Sequence, residues 1–317
     1  MYELLITNKG KTYSPIVEGD VIWETTRIGQ PGKLSFNVLK DNKIDFQEGN
    51  PIRFRADDKE IFFGFIFAKE RDKEQIIQVT AYDQLRYLKN KDTYVYEKKK
   101  ASDVVKMIAK DFNLQTGTIE DTEYIIPTRI RENMTLFDII YDALDLTLMN
   151  KRKMYVLYDD FGKLTLKDVE TMKIPDLVLG EYNSQNFSYK TDIDSDTYNK
   201  VKLYKDNEKS GKREIYIAQD GSNINKWGVL QYFDKVDEET NPKGKAEAIL
   251  KMKNKVNKSL QLKDCLGDIR VRAGASIMIL MRDIGDISIK QYMLVEKCTH
   301  VFGNDEHYMT VDLRGDI

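Results

Sequence analysis

The sequence predicts an α+β protein that is mainly β: two similar small β-barrels, an inserted α+β subdomain and one extra helix. Three observations predict it. Between residues 23 and 83, short runs with an apolar residue at every second position are separated by Gly/Pro turns, the pattern of half-buried strands. A shortened echo of that stretch returns at about 265–313. Between the two, the apolar spacing changes from that of strands to that of helices. The boundaries that follow are 1–92 for the first barrel, 93–172 for the insert, and 173–317 for the second barrel with a helix near 242–260. A chain of 317 residues has room for two or three domains.

In the first barrel, residues 2–6 read as an apolar strand ending in the turn Asn8-Lys9-Gly10-Lys11. Gly29-Gln30-Pro31-Gly32 is a strong turn, because Pro presets φ and Gly permits positive φ. Leu34, Phe36 and Val38 then alternate with Ser35 and Asn37. After a second turn, Gly49-Asn50-Pro51, Ile52 and Phe54 alternate with Arg53 and Arg55. Residues 62–67 are apolar on both faces, so this strand is expected to be covered on both sides, and Gly64 inside it suggests a bulge or a close backbone approach. Ile77, Val79 and Ala81 complete the unit.

In the insert, Val104, Val105, Ile108, Ala109 and Phe112 line one face of a helix expected to be capped by Ser102. A second helix starts at Thr135, a good N-cap, with Asp138 near its positive end. The two resemble a weak repeat, since Asp103-Val104-Val105 matches Asp138-Ile139-Ile140 and each follows a short strand signal. A hairpin follows, turning at Asp159-Asp160-Phe161-Gly162.

Strands return from Pro175, with runs at 186–191, 199–204, 214–218 and 228–232. The helix expected over roughly 242–260 has Ala246, Ile249, Leu250, Lys253 and Val256 on its inward stripe and Pro242 in its first turn. In the echo, Phe46-x-x-Gly49-Asn50-Pro51-Ile52-Arg53-Phe54 matches Val271-x-x-Gly274-Ala275-Ser276-Ile277-Met278-Ile279 in pattern. The following hairpin aligns Phe65 and Phe67 with Met293 and Val295, and Ile77 and Val79 with Met309 and Val311; the second hairpin turns at Gly303-Asn304-Asp305-Glu306. We read this as a duplication of pattern rather than of identity.

Composition narrows the function. The net charge of −2 gives no electrostatic footprint for nucleic acid, and Lys98-Lys99-Lys100 reads as a solvated face. Cys265 and Cys298 do not make a secreted disulfide framework, and the first residues lack a signal peptide's basic end and apolar core. The longest apolar run near the end, 277–281, is too short to cross a bilayer. Synthesis and assembly in a reducing cytoplasm are expected.

Candidate chemistry is sparse. The sharpest possibility is a zinc site: Cys298 and His300 point to one face of a strand, His307 pairs opposite Phe302 on that face, and Cys265 is a possible fourth ligand. Their spacing matches no common zinc pattern, and buried Cys is ordinary core, so no metal and no cofactor is assigned. With 52 Asp and Glu residues, a close carboxylate pair carries no specificity for a glycosidase. There is no Gly-x-Ser-x-Gly elbow, no Walker loop and no Gly-rich dinucleotide loop. Trp23 and Trp227 read as core or interface anchors. Tyr155, Tyr158, Tyr232, Phe233, Met278 and Met281 suit a subunit interface as well as a core, and taken singly each reads as core. No catalytic residue is assigned.

The motif Arg27-Ile28-Gly29-Gln30-Pro31-Gly32-Lys33-Leu34-Ser35-Phe36, with Phe46-x-Glu48-Gly49, Phe63-Gly64-Phe65-Ile66-Phe67 and Ala81-Tyr82-Asp83-Gln84-Leu85-x-Tyr87-Leu88, resembles the XkdQ family of PBSX-like prophages. Gly228-Val229-Leu230-Gln231 and Leu266-Gly267-Asp268-x-Arg270-x-Arg272-x-Gly274 extend the resemblance over nearly the whole chain. That family is similar to late control protein D of contractile phages and to the N-terminal part of VgrG spike proteins. The resemblance implies a non-enzymatic baseplate hub of a contractile phage tail or a phage-tail-like particle. Such a hub is a homotrimer whose two barrels per chain give a pseudo-six-fold seat for the tail tube protein, with a central spike protein on the other side and other baseplate proteins around it. It implies no specific nucleic acid, no membrane insertion, and incorporation into the virion or particle after synthesis in the bacterial cytoplasm. The chain ends at Ile317, just after the second barrel signal, so no hydrolase or needle is expected. A tail-associated cell-wall hydrolase and a carbohydrate-binding tail module stay open as alternatives.

Overall fold

The computed structural model describes residues 2–41, 43–207, 212–236, 241–284, 287–303 and 306–315. The chain divides into two compact units, Met1–Ser188 with Leu260–Ile317, and Tyr189–Ser259.

The first unit opens with β1 (Tyr2–Asn8), β2 (Lys11–Tyr13), β3 (Val17–Thr26), β4 (Lys33–Leu39), β5 (Pro51–Ala56), β6 (Lys59–Arg71) and β7 (Ile76–Tyr82). The alternation seen in the sequence is the burial pattern: Leu34, Phe36 and Val38 of β4 and Ile52 and Phe54 of β5 are buried, and Arg53 and Arg55 are exposed. One face of β1 and of β3 to β7 closes on a single apolar cluster, so the sheet curls around its own core. In β6, Phe62 and Ile66 face that core, while Phe63, Phe65 and Phe67 are half-buried on the other side. Gly64 is a close approach: a Cβ there would lie 2.3 Å from the Tyr82 carbonyl oxygen.

A 3-10 turn over Gln84–Lys89 leads to β8 (Lys91–Tyr96), α1 (Ala101–Asp111), β9 (Thr116–Ile119), β10 (Arg129–Thr135), α2 (Leu136–Lys151), β11 (Tyr155–Asp159) and β12 (Leu164–Asp168). The apolar faces of α1 and α2 share one core with β8, β11 and β12. Thr135 caps α2 as expected, its Oγ1 accepting from the Asp138 N–H at 3.1 Å. The expected cap of α1 is corrected. The helix starts one residue before Ser102, with Lys100 as N-cap, because the Asp103 carboxylate accepts the Lys100 N–H at 3.0 Å; the Ser102 N–H donates to Thr122 Oγ1 instead. The β11–β12 hairpin turns at the expected residues, with Phe161 and Gly162 in the left-handed region.

After β13 (Lys173–Gly180), β14 (Asn186–Asp192) carries the chain into the second unit. That unit holds β15 (Lys200–Asn207), β16 (Lys212–Gln219), α3 (Gly221–Trp227), β17 (Gln231–Lys235) and α4 (Pro242–Lys253). Val201 and Leu203 of β15 pack with Ala246 and Ile249 of α4. Two expectations are corrected here. The strand read at 228–232 begins only at Gln231. It is preceded by α3, which the Asp220 carboxylate caps, and the Asn199 side chain takes up the Gly228 C=O and the Leu230 N–H. The helix read over 242–260 ends at Lys253, and Val256 of its expected stripe lies beyond it, 36% exposed. The buried residues Leu260, Leu262 and Cys265 belong to the next strand.

That strand, β18 (Asn257–Leu266), leads back to the first unit, followed by β19 (Ser276–Ile284), β20 (Ile287–Phe302) and β21 (His307–Arg314). Residues 208–211 and the middle of the expected turn at 303–306 lie outside the described residues; the turn's ends are joined by Gly303 N–H to Glu306 C=O at 2.9 Å.

The echo is a backbone repeat. Gly49 N–H donates to Ile66 C=O and Ile66 N–H to Asn50 C=O; Gly274 N–H donates to Val295 C=O and Val295 N–H to Ala275 C=O. Gly49 and Gly274 both have positive φ, 83° and 92°. In each copy the middle strand bulges one residue later, at Phe67 and at Glu296. The hydrogen-bonded order β3-β4-β7-β6-β5-β1 of the first copy matches β14-β18-β21-β20-β19-β13 of the second, although β1 runs antiparallel to β5 and β13 parallel to β19. These bonds equate Ile66 with Val295, so the sequence alignment of Phe65 and Phe67 with Met293 and Val295 is one residue out. A strand apolar on both faces has no alternation to set its register. The alignment of Ile77 and Val79 with Met309 and Val311 agrees with the paired residues Ala81 and Leu313.

Candidate functional site

The two copies share one sheet, because β3 of the first pairs antiparallel with β20 of the second, Thr26 opposite Lys297 through Val21 opposite Phe302. At the end of this seam Arg27 N–H donates to Glu296 C=O at 2.9 Å, and its guanidinium forks onto the same residue's carboxylate at 2.8 and 3.0 Å. Tyr141 of α2 donates its hydroxyl to the Arg27 C=O at 2.7 Å, which ties in the insert. Arg27 is 9% exposed and Glu296 30%, so this pair is screened less than surface ion pairs are. Lys33 and Lys297 both reach Glu24, at 2.9 and 2.7 Å, and hold its carboxyl below the usual range against the opposing effect of burial. Phe302 enters the core of the first copy, 4.9 Å from Phe54 between ring centres.

Beside the seam lies a buried polar cluster. Both Asp83 oxygens accept backbone N–H groups, from Gly32 at 2.8 Å and Leu85 at 3.0 Å, and so pin the Gly29–Gly32 turn. Arg272 donates to the Asp159 C=O at 2.9 Å and lies over the Tyr158 ring at 3.9 Å. Burial pushes the Asp83 carboxyl well up and Asp159 up to about 6. Such shifts occur at catalytic sites, but these two side chains face inward at 4% and 6% exposure. Asp83, Gln84 and Arg272 were visible only as parts of the turn-and-strand motifs. Asp159 was visible only as the first residue of the hairpin turn, and nothing in the sequence pointed to Tyr141 or Glu296.

His300 and Cys298 are also in the seam, on β20. Trp23 stacks on His300 with ring centres 5.0 Å apart. His300 Nε2 lies 2.7 Å from the Val271 C=O and 3.1 Å from Cys298 Sγ, and Nδ1 lies 2.9 Å from His307 Nε2. A carbonyl only accepts, so Nε2 carries the proton, Nδ1 accepts, and His307 donates. Burial holds His300 neutral, down to about 3, and lowers His307. Both His300 nitrogens are thus committed to hydrogen bonds, which does not fit a metal ligand. Among the described residues no group of three His, Cys, Asp or Glu side chains is placed to hold a metal ion. Cys265 is buried on β18; burial raises its thiol to about 11 and that of Cys298 well up, so neither is a reactive thiolate. Of the aromatic and Met residues that suited core and interface alike, Tyr155, Tyr158 and Met281 are core, and Phe233 is 56% exposed.

A curled β repeat with an α+β insert is the fold of phage tail proteins: the 43 kDa tail protein of prophage MuSo2 from Shewanella oneidensis superposes with a TM-score of 0.72 over 98% of both chains at 10% identity. The chain belongs to the YQBQ-like family, whose model matches residues 21–314. It is 32% identical over 322 residues to YqbQ of Bacillus subtilis (strain 168), covering 99% of this chain and 96% of that one. It is 33% identical over the same length to the phage-like element PBSX protein XkdQ of that strain, covering 99% and 97%.

Proposed function

We propose that this chain is a structural, non-enzymatic hub protein of a phage-tail or tail-like baseplate, three copies of which adapt a six-fold tail tube to a three-fold spike. The observation that carries the reading is the repeat: two copies of one hydrogen-bonded frame per chain, in a chain related at 33% identity to a PBSX protein, give six seats from three chains. In this reading the seats are the barrels at 1–92 and 173–317, and the insert at 93–172 braces them through Tyr141. The perturbed carboxylates and imidazoles hold modules together, which agrees with a part that does no chemistry. Its partners are the tube protein, the spike and neighbouring baseplate proteins. It is made in the bacterial cytoplasm and carried in the particle, without membrane insertion or sequence-specific nucleic-acid contacts.

The test is a reconstruction of the assembled particle. Three copies at the tube end are expected; one or six copies there would overturn the reading. Lysis of purified peptidoglycan by the isolated chain, abolished by replacing one carboxylate, would turn it into a hydrolase.

A further inference from the structure

The repeat leaves one strand edge open in the first copy that is filled in the second. On β20, β19 pairs as far as Leu294, and β3 then takes the same side from Lys297 to Phe302. On β6, β5 pairs as far as Phe65, while the ladder with β7 on the other side continues to Arg71. Among the described residues, Ala68 to Arg71, the equivalent of Lys297 to His300, therefore has a sheet neighbour on one side. Asp72 N–H donates to Ile76 C=O, so by the alternation of an antiparallel ladder Glu70 and Ala68 bond towards β7, and the N–H and C=O of Lys69 and Arg71 point to the open side. The preceding loop meets this edge through side chains: Phe46 C=O accepts Lys69 Nζ at 2.8 Å, where its counterpart Val271 C=O accepts His300 Nε2 two positions further on, and among the described residues no backbone hydrogen bond from the loop reaches Lys69 or Arg71.

We infer that this edge takes β14 of a second copy of the chain. In the strand order, β14 holds the place in the second copy that β3 holds in the first, and it ends the sheet. Within the chain, first-copy β3 sits on second-copy β20; the same step repeated from the second copy onward places β14 on β6 of the next chain. Such a contact joins unlike surfaces head to tail, and in the proposed trimer its rotation closes into a ring after three chains. The inference rests on the proposed trimer and specifies its seam. The open ends differ as this requires. Trp23 stacks on His300, which is fully buried with Cys298, whereas the equivalent Lys69 and Arg71 line an open cleft of about 330 Å³ with Phe46 and Ile77. The charges of Lys69, Glu70 and Arg71 suit an edge that must not pair at random before assembly.

The test uses the full-length chain, concentrated, with its buried native cysteines retained. Glu70→Cys is combined in turn with Ser188→Cys and with Lys190→Cys, and the products are oxidised and run without reductant beside a solution mass measurement. Cross-links between copies, closing at three chains, are expected. Lys69→Pro removes an N–H on the open side but none from the β7 ladder, and Lys69→Ala loses the same side-chain bond to the Phe46 C=O while keeping that N–H; the two should melt alike, and Pro should weaken association by about tenfold or more beyond Ala. Trimers that form without either cross-link and tolerate Lys69→Pro would overturn the seam and leave the hub reading standing. Cross-linked chains that do not close at three would keep the seam and overturn the trimer. A chain that neither associates nor cross-links at any concentration would overturn the seam.

Discussion

The two copies of the repeat share a backbone and differ in what surrounds it. Gly49 and Gly274 make the same pair of hydrogen bonds at nearly the same positive φ. Around Gly49 a Cβ would meet nothing within 4 Å, whereas at Gly274 it would lie 2.6 Å from Val156 of the insert. At the bulge, Phe67 rests against Tyr82 and Tyr87, while Glu296 binds Arg27. One frame thus serves as an open module in the first copy and as the point where three modules meet in the second. The hydrogen-bond pattern sets the repeat, and the side chains set its use.

The strongest way to break this comparison is at the glycines. Both Gly→Ala changes incur the left-handed penalty of about 1–2 kcal/mol, and Gly274→Ala adds overpacking of about 1–3 kcal/mol against Val156. Denaturant unfolding should therefore show Gly274→Ala to be clearly the worse; equal losses would mean that the insert does not brace the second copy.

Arg27→Ala comes next. It leaves the partly buried Glu296 carboxylate with Arg314 alone, 3.7 Å away and 43% exposed, and an expected loss of about 2 kcal/mol, reduced by that second partner and by the partial exposure of Glu296, should appear in a double-mutant cycle with Glu296→Ala as coupling of about 1 kcal/mol or more. Phe67→Ala in the first copy should show no coupling to Arg27.

Acid separates the copies differently. His300 is neutral in the fold down to about 3, whereas an unfolded His binds a proton near 6.5. Its contribution is complete above about 6.5 and is lost as pH falls towards 3, at about 1.4 kcal/mol per pH unit. Between about pH 7 and about pH 5 the loss is roughly 2 kcal/mol. Equilibrium unfolding at the two pH values should show a flatter slope for His300→Gln, which can keep the bond to Val271, while Arg71→Gln at the equivalent first-copy position should leave the slope unchanged.

The smallest effect is expected at Glu24, which bridges Lys33 of the first copy and Lys297 of the second at a half-exposed site. Glu24→Gln should cost less than about 1 kcal/mol and less still in high salt. A larger, salt-insensitive loss would place more of the seam's stability in ion pairs than the Arg27 fork accounts for.

Most strands, most turns and the duplication were legible in the residue pattern. Alternation such as Leu34, Phe36 and Val38 reports burial directly, and Gly-x-x turns report backbone conformation. It misplaced element ends that side-chain partners and packing faces set. Asp103 rather than Ser102 sets the start of α1, and α4 gives way to β18 where the apolar residues pass from one packing face to another. The middle strand of the repeat slipped by one residue because both of its faces are apolar. The metal reading of Cys298, His300 and His307 had the right strand geometry, but only the fold brought the Val271 carbonyl to the imidazole. The pairing of β3 with β20, the Arg27–Glu296 fork and the open edge of β6 were decided by the tertiary structure alone. A strand's own residues specify which face is buried and leave open which neighbour will satisfy its edge.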